Sequence, residues 1–226
     1  MQELNQPEYN LVTLEDPVEH TLAGINQVQL NPRGGLDYVE GLKSLLRQDT
    51  DQILLGEIRS TETAEMAVRI ALTGHLLLTT LHTEDSAAVI FRLREMGIPS
   101  YLIAATLTGV IAQRLVRRCC PHCQEEYEVL AGSSEAMLLG PAWQSGLKLK
   151  RNRGCAYCGN SGYSGRLALQ EVLMITSAIK DAILQEQDRQ RFQQLAEKEG
   201  MLTLWQDGIA KVLSGLTTLS ELKRVI

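Results

Sequence analysis

The sequence predicts an α/β fold: a mostly parallel sheet flanked by helices, followed by a small metal-clipped module and a helical tail. Three observations predict it. Short continuous apolar runs, Ile53-Leu54-Leu55 and Leu76 to Leu81, read as strands buried on both faces. These runs alternate with segments of helical periodicity, the strand–helix–strand order of a parallel sheet. Finally, four cysteines stand as two Cys-x-x-Cys pairs, Cys120/Cys123 and Cys155/Cys158, a spacing that builds a tetrahedral thiolate site.

Each element has its own signal. Asn10 to Leu14 is a β-prone run, and Ile25, Val28 and Leu30 lie in a second extended stretch that ends at the turn Asn31-Pro32-Arg33-Gly34-Gly35. Val39, Leu42, Leu45 and Leu46 recur at helical spacing before the strand Ile53-Leu54-Leu55. Ser60 or Thr61 caps the next helix, whose face is Ala64, Ala67, Val68 and Ala71 and whose stop is Gly74. The run Leu76 to Leu81 is the following strand. Past Gly97-Ile98-Pro99, an apolar helix is expected from Tyr101 to Val116, and loops at Ala131 to Ser134 and Gly140-Pro141. From Leu167 onward the pattern reads as helical, with stops at Gly200 and Gly215 and a capping box formed by Thr218 and Glu221.

Composition narrows the class. With 44% hydrophobic and 22% charged residues in 226, the chain reads as an ordinary soluble globular protein. The longest apolar stretch, Leu102 to Val116, is interrupted by Thr106, Gly109, Gln113 and Arg114, too short and polar to span a bilayer. Four of five cysteines in metal spacing favour zinc over a disulfide framework, leaving Cys119 over and Cys119 and His122 as alternative ligands. The net charge is −5, yet the segment from Arg114 to Arg166 carries eight Lys and Arg against four Glu, so the cysteine module is the basic part. That patch suits an acidic protein or a membrane face, or is simply a solvated surface. At 4% aromatic residues, few stacking platforms exist for nucleic acid, and none is expected as a direct partner.

Acidic and histidine motifs sit at strand boundaries. Glu57 follows a buried strand directly after Gly56, where open α/β sheets bind ligands; a lone strand-end Glu is more often a solvated residue or a helix N-terminal partner. Glu15, Asp16 and Glu19 cluster after the first strand and repel one another unless a cation or proton donor lies near. His75 and His82 bracket the Leu76 to Leu81 run, about 20 Å apart along a straight strand, so they cannot easily share one metal.

Together these motifs resemble the secretion ATPases of type II secretion and type IV pilus assembly. Thr13-Leu14-Glu15-Asp16-Pro17-Val18-Glu19 is similar to their acidic box, Ile53-Leu54-Leu55-Gly56-Glu57 to an atypical Walker B, and Thr73-Gly74-His75 through Leu81-His82-Thr83 to the histidine box. The tetracysteine insertion resembles the secretion and pilus-extension branch. Gly162-Tyr163-Ser164-Gly165-Arg166 and Gly200-Met201-Leu202-Thr203-Leu204 resemble that branch's C-terminal motifs. The resemblance implies residues 1–116 as the C-terminal part of a RecA-like ATPase domain, 117–166 as a zinc module and 167–226 as a helical domain. It implies ATP, Mg²⁺ and Zn²⁺ as cofactors. Glu19 would activate the attacking water, with Glu15 and Asp16 shaping its field; Glu57 would support the Mg²⁺ and water shell; His75 and His82 would contact the γ-phosphate region; and the four cysteines would hold structural zinc. Arg59 would link the Walker B site to a neighbouring element. It further implies a cytoplasmic hexameric ring working at the inner-membrane face with platform proteins.

One departure from the pattern matters. No Gly-x-x-x-x-Gly-Lys-Ser/Thr phosphate loop occurs in the 226 residues. Residues Gln2 to Glu8 resemble the end of the helix that follows such a loop, so the chain is expected to begin just downstream of its phosphate cradle and to be inactive alone. The leading expectation is therefore a secretion or pilus-assembly ATPase or a truncated form of one; the alternative is a non-hydrolysing, zinc-bearing interaction remnant.

Overall fold

The strands of the first half follow the sequence signals, and the main departures lie between residues 109 and 174. The computed structural model describes all residues, 1–226. In chain order its first elements are β1 (Leu11–Glu15), β2 (Asn26–Gln29), α1 (Tyr38–Leu45), β3 (Gln52–Leu55), α2 (Thr61–Leu72), β4 (Leu76–Thr79), α3 (Ala88–Glu95) and α4 (Ser100–Thr106). There follow β5 (Gly109–Cys119), β6 (Gln124–Glu128), α5 (Ser134–Leu139), β7 (Lys148–Asn152), β8 (Tyr163–Met174), α6 (Ser177–Leu184), α7 (Arg189–Lys198), α8 (Leu204–Leu213) and α9 (Leu219–Val225). Residues 2–4 make one 3₁₀ turn.

Contacts divide the chain into two units, Met1–Thr108 with Ile175–Gln193 and Gly109–Met174 with Gln194–Ile226. In the first, four parallel strands lie in the order β2-β1-β3-β4. Leu11, Val12, Thr13 and Leu14 of β1 are all buried, as expected of an inner strand covered on both faces. Helix α1 is capped by Asp37, which accepts from the Glu40 amide at 2.9 Å, and its Leu42 and Leu45 are buried. Gly41 lets it approach the sheet: a Cβ there would stand 3.0 Å from Leu14 Cδ1. Ser60 is the cap of α2, accepting from the Thr63 amide at 3.2 Å, and Ala64, Ala67, Val68 and Ile70 form its buried face. Phe91 and Phe192 meet edge to face at 6.1 Å.

The second unit is built on the long antiparallel pair β5–β8 and the shorter pair β6–β7. Its core includes Val116, Leu149, Leu169, Ile209, Val212 and Leu222. Here the sequence reading needs correction. The helix expected from Tyr101 to Val116 stops at Thr106, and β5 takes over at Gly109. The expected helical course from Leu167 onward begins only at Ser177, because β8 continues to Met174. Both segments alternate with period two: Ala112 and Val116 face inward while Ile111, Gln113 and Leu115 are exposed, and Leu169 and Leu173 face inward while Gln170 and Val172 are exposed. An apolar run this short fits either period, and the cross-strand pairing decides. The boundaries expected at 116/117 and 166/167 fall inside these two strands. Between the two stretches read as loop lies a short helix, α5, capped by Ser133, whose hydroxyl accepts from the Ala136 amide.

Thr218 caps α9 as expected, accepting from the Glu221 amide at 3.2 Å, but Glu221 does not close a capping box. Its buried carboxylate instead accepts from the Arg117 amide (2.9 Å), the Arg117 guanidinium (2.7 and 2.9 Å) and the Arg224 guanidinium (2.7 and 2.8 Å). The Arg224 hydrogen bonds, against burial and with those of Arg117, hold it down to about 2. Arg117 also stacks on Tyr163 at 4.1 Å. The reciprocal box lies one helix earlier, between Thr203 and Gln206.

Candidate functional site

In a parallel sheet the C-terminal strand ends gather at one edge, and here they bring together Glu15 from β1, Gly56 and Glu57 from β3, and Thr80 and His82 from β4. The edge is knitted by short bonds. The Gly56 amide donates to Leu14 O at 2.8 Å, the Ile58 amide to Thr80 O at 3.0 Å, and the Thr80 hydroxyl to Gly56 O at 2.8 Å. Gly56 is required sterically: a Cβ would lie 2.8 Å from Tyr38 Oη and 3.2 Å from Leu14 O.

Glu57 is largely enclosed, its side chain 14% exposed. Arg59 binds one carboxylate oxygen at 2.6 Å and holds the carboxyl pKa below its ordinary value, against the opposing push of burial. His82 Nε2 stands 3.3 Å from the other oxygen, near enough for attraction, but outside hydrogen-bonding geometry, so buried Oε2 keeps no hydrogen-bond partner. An orphaned anionic oxygen at a strand end fits a hydrated hard cation such as magnesium. Arg59 thus turns back onto Glu57.

Glu15 is held firmly: its Oε1 accepts from Thr13 Oγ1 at 2.6 Å and Gln27 Nε2 at 3.0 Å. Asp16 and Glu19 lie exposed in the following loop, which starts with a cis Asp16–Pro17 bond, and Glu19 forms no ion pair or hydrogen bond. His82 is 87% exposed at the same edge. His75 precedes β4 at the opposite end of the sheet, where its Nδ1 meets Thr73 Oγ1 at 2.9 Å. The fold therefore gathers Glu15, Glu57 and His82, leaves Glu19 on a loop beside them and keeps His75 away.

Two residues of this edge escape sequence reasoning. Tyr38, the first residue of α1, puts its hydroxyl against Gly56, and burial, then the negative charges of Glu57 and Asp16, push its phenol up. Gln27 is a polar strand residue next to an acidic loop; that juxtaposition was the available signal.

The thiolate cluster lies in the second unit. Sγ separations are 3.9 Å for Cys120–Cys155, 4.0 Å for Cys123–Cys158 and 3.8 Å for Cys155–Cys158. All four sulfurs lie within 4.8 Å of one another. A metal about 2.3 Å from four tetrahedral sulfurs sets them about 3.8 Å apart, whereas a disulfide needs about 2.05 Å. The donor set therefore fits zinc. Burial pushes the Cys158 thiol up, but the amides of Cys155 (3.3 Å) and Gly162 (3.2 Å) donate to its sulfur and bring it down to about 6. Burial and neighbouring thiols push Cys123 up to about 12, and a bound cation would offset this crowding. The turns are tight enough to require glycine: at Gly154 (φ +89°) a Cβ would lie 2.6 Å from Asn160 O, and at Gly162 (φ +78°) 2.7 Å from Asn152 Cβ. Cys119 stays out of the cluster, buried and accepting from Asn152 Nδ2 at 3.2 Å, while His122 packs against Tyr157.

The basic segment changes character once folded. On β6–β7, Glu125 stands opposite Arg151, Glu126 opposite Lys150 and Glu128 opposite Lys148, and Arg153 also pairs with Glu125. Three of the basic side chains thus face acids across the strand pair, while the segment as a whole keeps its positive excess. No helix is long and apolar enough to cross a membrane.

Comparison with known proteins places the chain. It is 45% identical over 215 residues to the type IV pilus assembly ATPase PilB of Thermus thermophilus, covering 95% of this chain and 24% of that protein. It is 42% identical over 225 residues to the type II secretion system ATPase E of Vibrio cholerae, covering 100% of this chain and 44% of that one. The chain thus spans less than half the length of these relatives. Among solved structures, the pilus retraction motor PilT with bound ADP superposes with a TM-score of 0.69 at 25% identity, covering 99% of this chain and 54% of PilT. The ATPase DotB of Legionella pneumophila shares the fold at a TM-score of 0.63 and 22% identity. The family model described as type II/IV secretion system protein matches residues 1–224, and the chain belongs to that family.

Proposed function

We propose that this chain supplies the hydrolytic sheet edge and the zinc-clipped C-terminal portion of an ATPase that drives type II secretion or type IV pilus assembly. The observation that carries the reading is the orphaned Glu57 oxygen at the C-terminal end of a parallel strand, beside Glu15 and His82, in a chain of this family. Phosphoryl transfer depends almost wholly on positioning and charge stabilisation. Glu57 would hold Mg²⁺, directly or through water, and the ion would neutralise charge on the phosphate oxygens. Glu19, on the loop that Glu15 anchors, would accept the proton of the attacking water, and Asp16 would add to the negative field around it. His82 would donate to a phosphate oxygen. His75, at the far end of β4, would reach a nucleotide only from another subunit of a ring; we take that ring to be hexameric, cytoplasmic and docked on platform proteins at the inner membrane. Cys120, Cys123, Cys155 and Cys158 would hold Zn²⁺ with no open position, a structural role. In this reading 1–116 belongs to the ATPase domain, 117–166 to the zinc module and 167–226 to the helical domain.

The test is phosphate release from three proteins: this chain, a hybrid in which it replaces the matching segment of the Vibrio cholerae ATPase, and the Glu19→Gln hybrid. The chain alone has no phosphate loop to hold ATP, so background rates are expected from it and magnesium-dependent turnover from the hybrid. Glu19→Gln should cut that turnover by about 100-fold or more while ATP still binds. An inactive native hybrid with intact zinc would support the non-hydrolysing interaction module instead, and a fully active Glu19→Gln hybrid would remove that residue from the chemistry.

A further inference from the structure

The stretch from Asp16 to Gly24 has no regular secondary structure, yet it carries two acids of the site. Asn5 Nδ2 donates to Ala23 O at 2.9 Å, but most of the loop's hydrogen bonds lead to Gln27. Gln27 of β2 donates through Nε2 to Glu15 Oε1 and to His20 O, each at 3.0 Å, and its Oε1 accepts from the Leu22 amide at 2.7 Å. Gln29 lies on the same face of β2, and its Oε1 stands 3.5 Å from the Val18 amide. A single primary amide thereby ties the end of β1, the middle of the loop and its return to one point. Glu15 Oε2 takes none of these bonds and stays available.

The chemistry of the residue type matters. An Arg or Lys at this place would pair with Glu15 and cancel its charge; a carboxylate would repel it. An amide can donate to a carboxylate and accept from a backbone N–H at once without adding charge.

We propose that Gln27 is a positioning residue of the acidic edge, fixing the Glu15 carboxylate and the loop that bears Asp16 and Glu19 while leaving their negative field intact. The inference rests on the hydrolytic reading above and adds a residue to it.

The experiment compares native, Gln27→Met and Gln27→Glu proteins. Methionine keeps the length of the side chain without its hydrogen bonds, and glutamate keeps an acceptor for the Leu22 amide but no donor for Glu15. Amide exchange is read at Leu22 in the 226-residue chain, kcat and KM for ATP in the hybrid, and zinc content in both as a check of folding. Gln27→Met is expected to speed Leu22 exchange roughly tenfold and to lower kcat roughly tenfold with KM within about twofold. Gln27→Glu is expected to restore slow exchange at Leu22 and leave kcat low. Unchanged Leu22 exchange or unchanged kcat in Gln27→Met would overturn the proposal. A native hybrid that hydrolyses no ATP would overturn the hydrolytic reading and this role with it, whereas retained turnover in Gln27→Met overturns this role alone.

Discussion

The thiolate cluster and the acidic sheet edge are both sets of anionic side chains brought together by folding, and they are finished to different degrees. Around the cysteines, amides donate to Cys158 sulfur, glycines permit the turns, and sulfur spacings of 3.8 to 4.0 Å already match a tetrahedron. At the sheet edge, Glu57 Oε2 lacks a hydrogen bond, His82 is almost fully exposed and Glu19 lies exposed on its loop. A structural metal site gains from closure on all sides; a site that must admit substrate has to leave positions unsatisfied. The contrast assigns stability to the first and chemistry to the second.

Removing the metal should separate the two most sharply. Cys155→Ser is expected to drop zinc from one per chain to well under one and to abolish the cooperative melt of the second unit, since metal binding in such modules is coupled to folding. Metal analysis with calorimetry checks this, and unaltered zinc content would defeat the ligand assignment.

Next in size is Glu221, the buried acid between Arg117 and Arg224. Its folded value of about 2 lies below the ordinary 4.5. Its contribution is therefore complete above about pH 4.5 and is lost as pH falls from there through about 2, roughly 3 kcal/mol in all. Glu221→Gln should flatten that part of the acid-stability curve of the second unit in denaturant titrations; an unchanged curve would show that the two guanidinium pairs contribute nothing.

Gly56→Ala probes the tightness of the acidic edge. With a Cβ 2.8 Å from Tyr38 Oη, the expected cost is about 1–3 kcal/mol. Tyr38→Phe in the same protein should recover part of it, because the hydroxyl is the nearest atom in the way. No recovery would place the conflict at Leu14 O instead.

The smallest effect is expected at the charged ladder of β6–β7. Glu125→Gln frees Arg151 and Arg153, both exposed, and exposed pairs are each worth about 0.2–1 kcal/mol. A loss well above that range in thermal melts would mean the ladder is structural.

How much of this was legible in the sequence follows from how local each signal is. The parallel strands, the caps at Ser60 and Thr218 and the four cysteines are written in short windows, and they appear where the windows put them. Strands β5 and β8 are not local: Ile111 pairs with Val172 across sixty residues, and a run rich in Leu, Val and Ala satisfies helical spacing as well as alternation until that partner is known. The charge balance was countable in the sequence, but the pairing of Lys148, Lys150 and Arg151 with acids twenty and more residues away on β6 was not. At the sheet edge, Glu15 and Glu57 were visible as strand-end acids, whereas Tyr38 and Gln27 reach it only through tertiary structure.

The division of labour between the two sites is tested most directly by phosphate release from the native and Glu57→Gln hybrids across a magnesium titration, with zinc measured in the same samples. The account predicts magnesium-dependent turnover in the native hybrid, a fall of about 100-fold or more in Glu57→Gln, and one zinc per chain in both. Native turnover by the Glu57→Gln hybrid would contradict it.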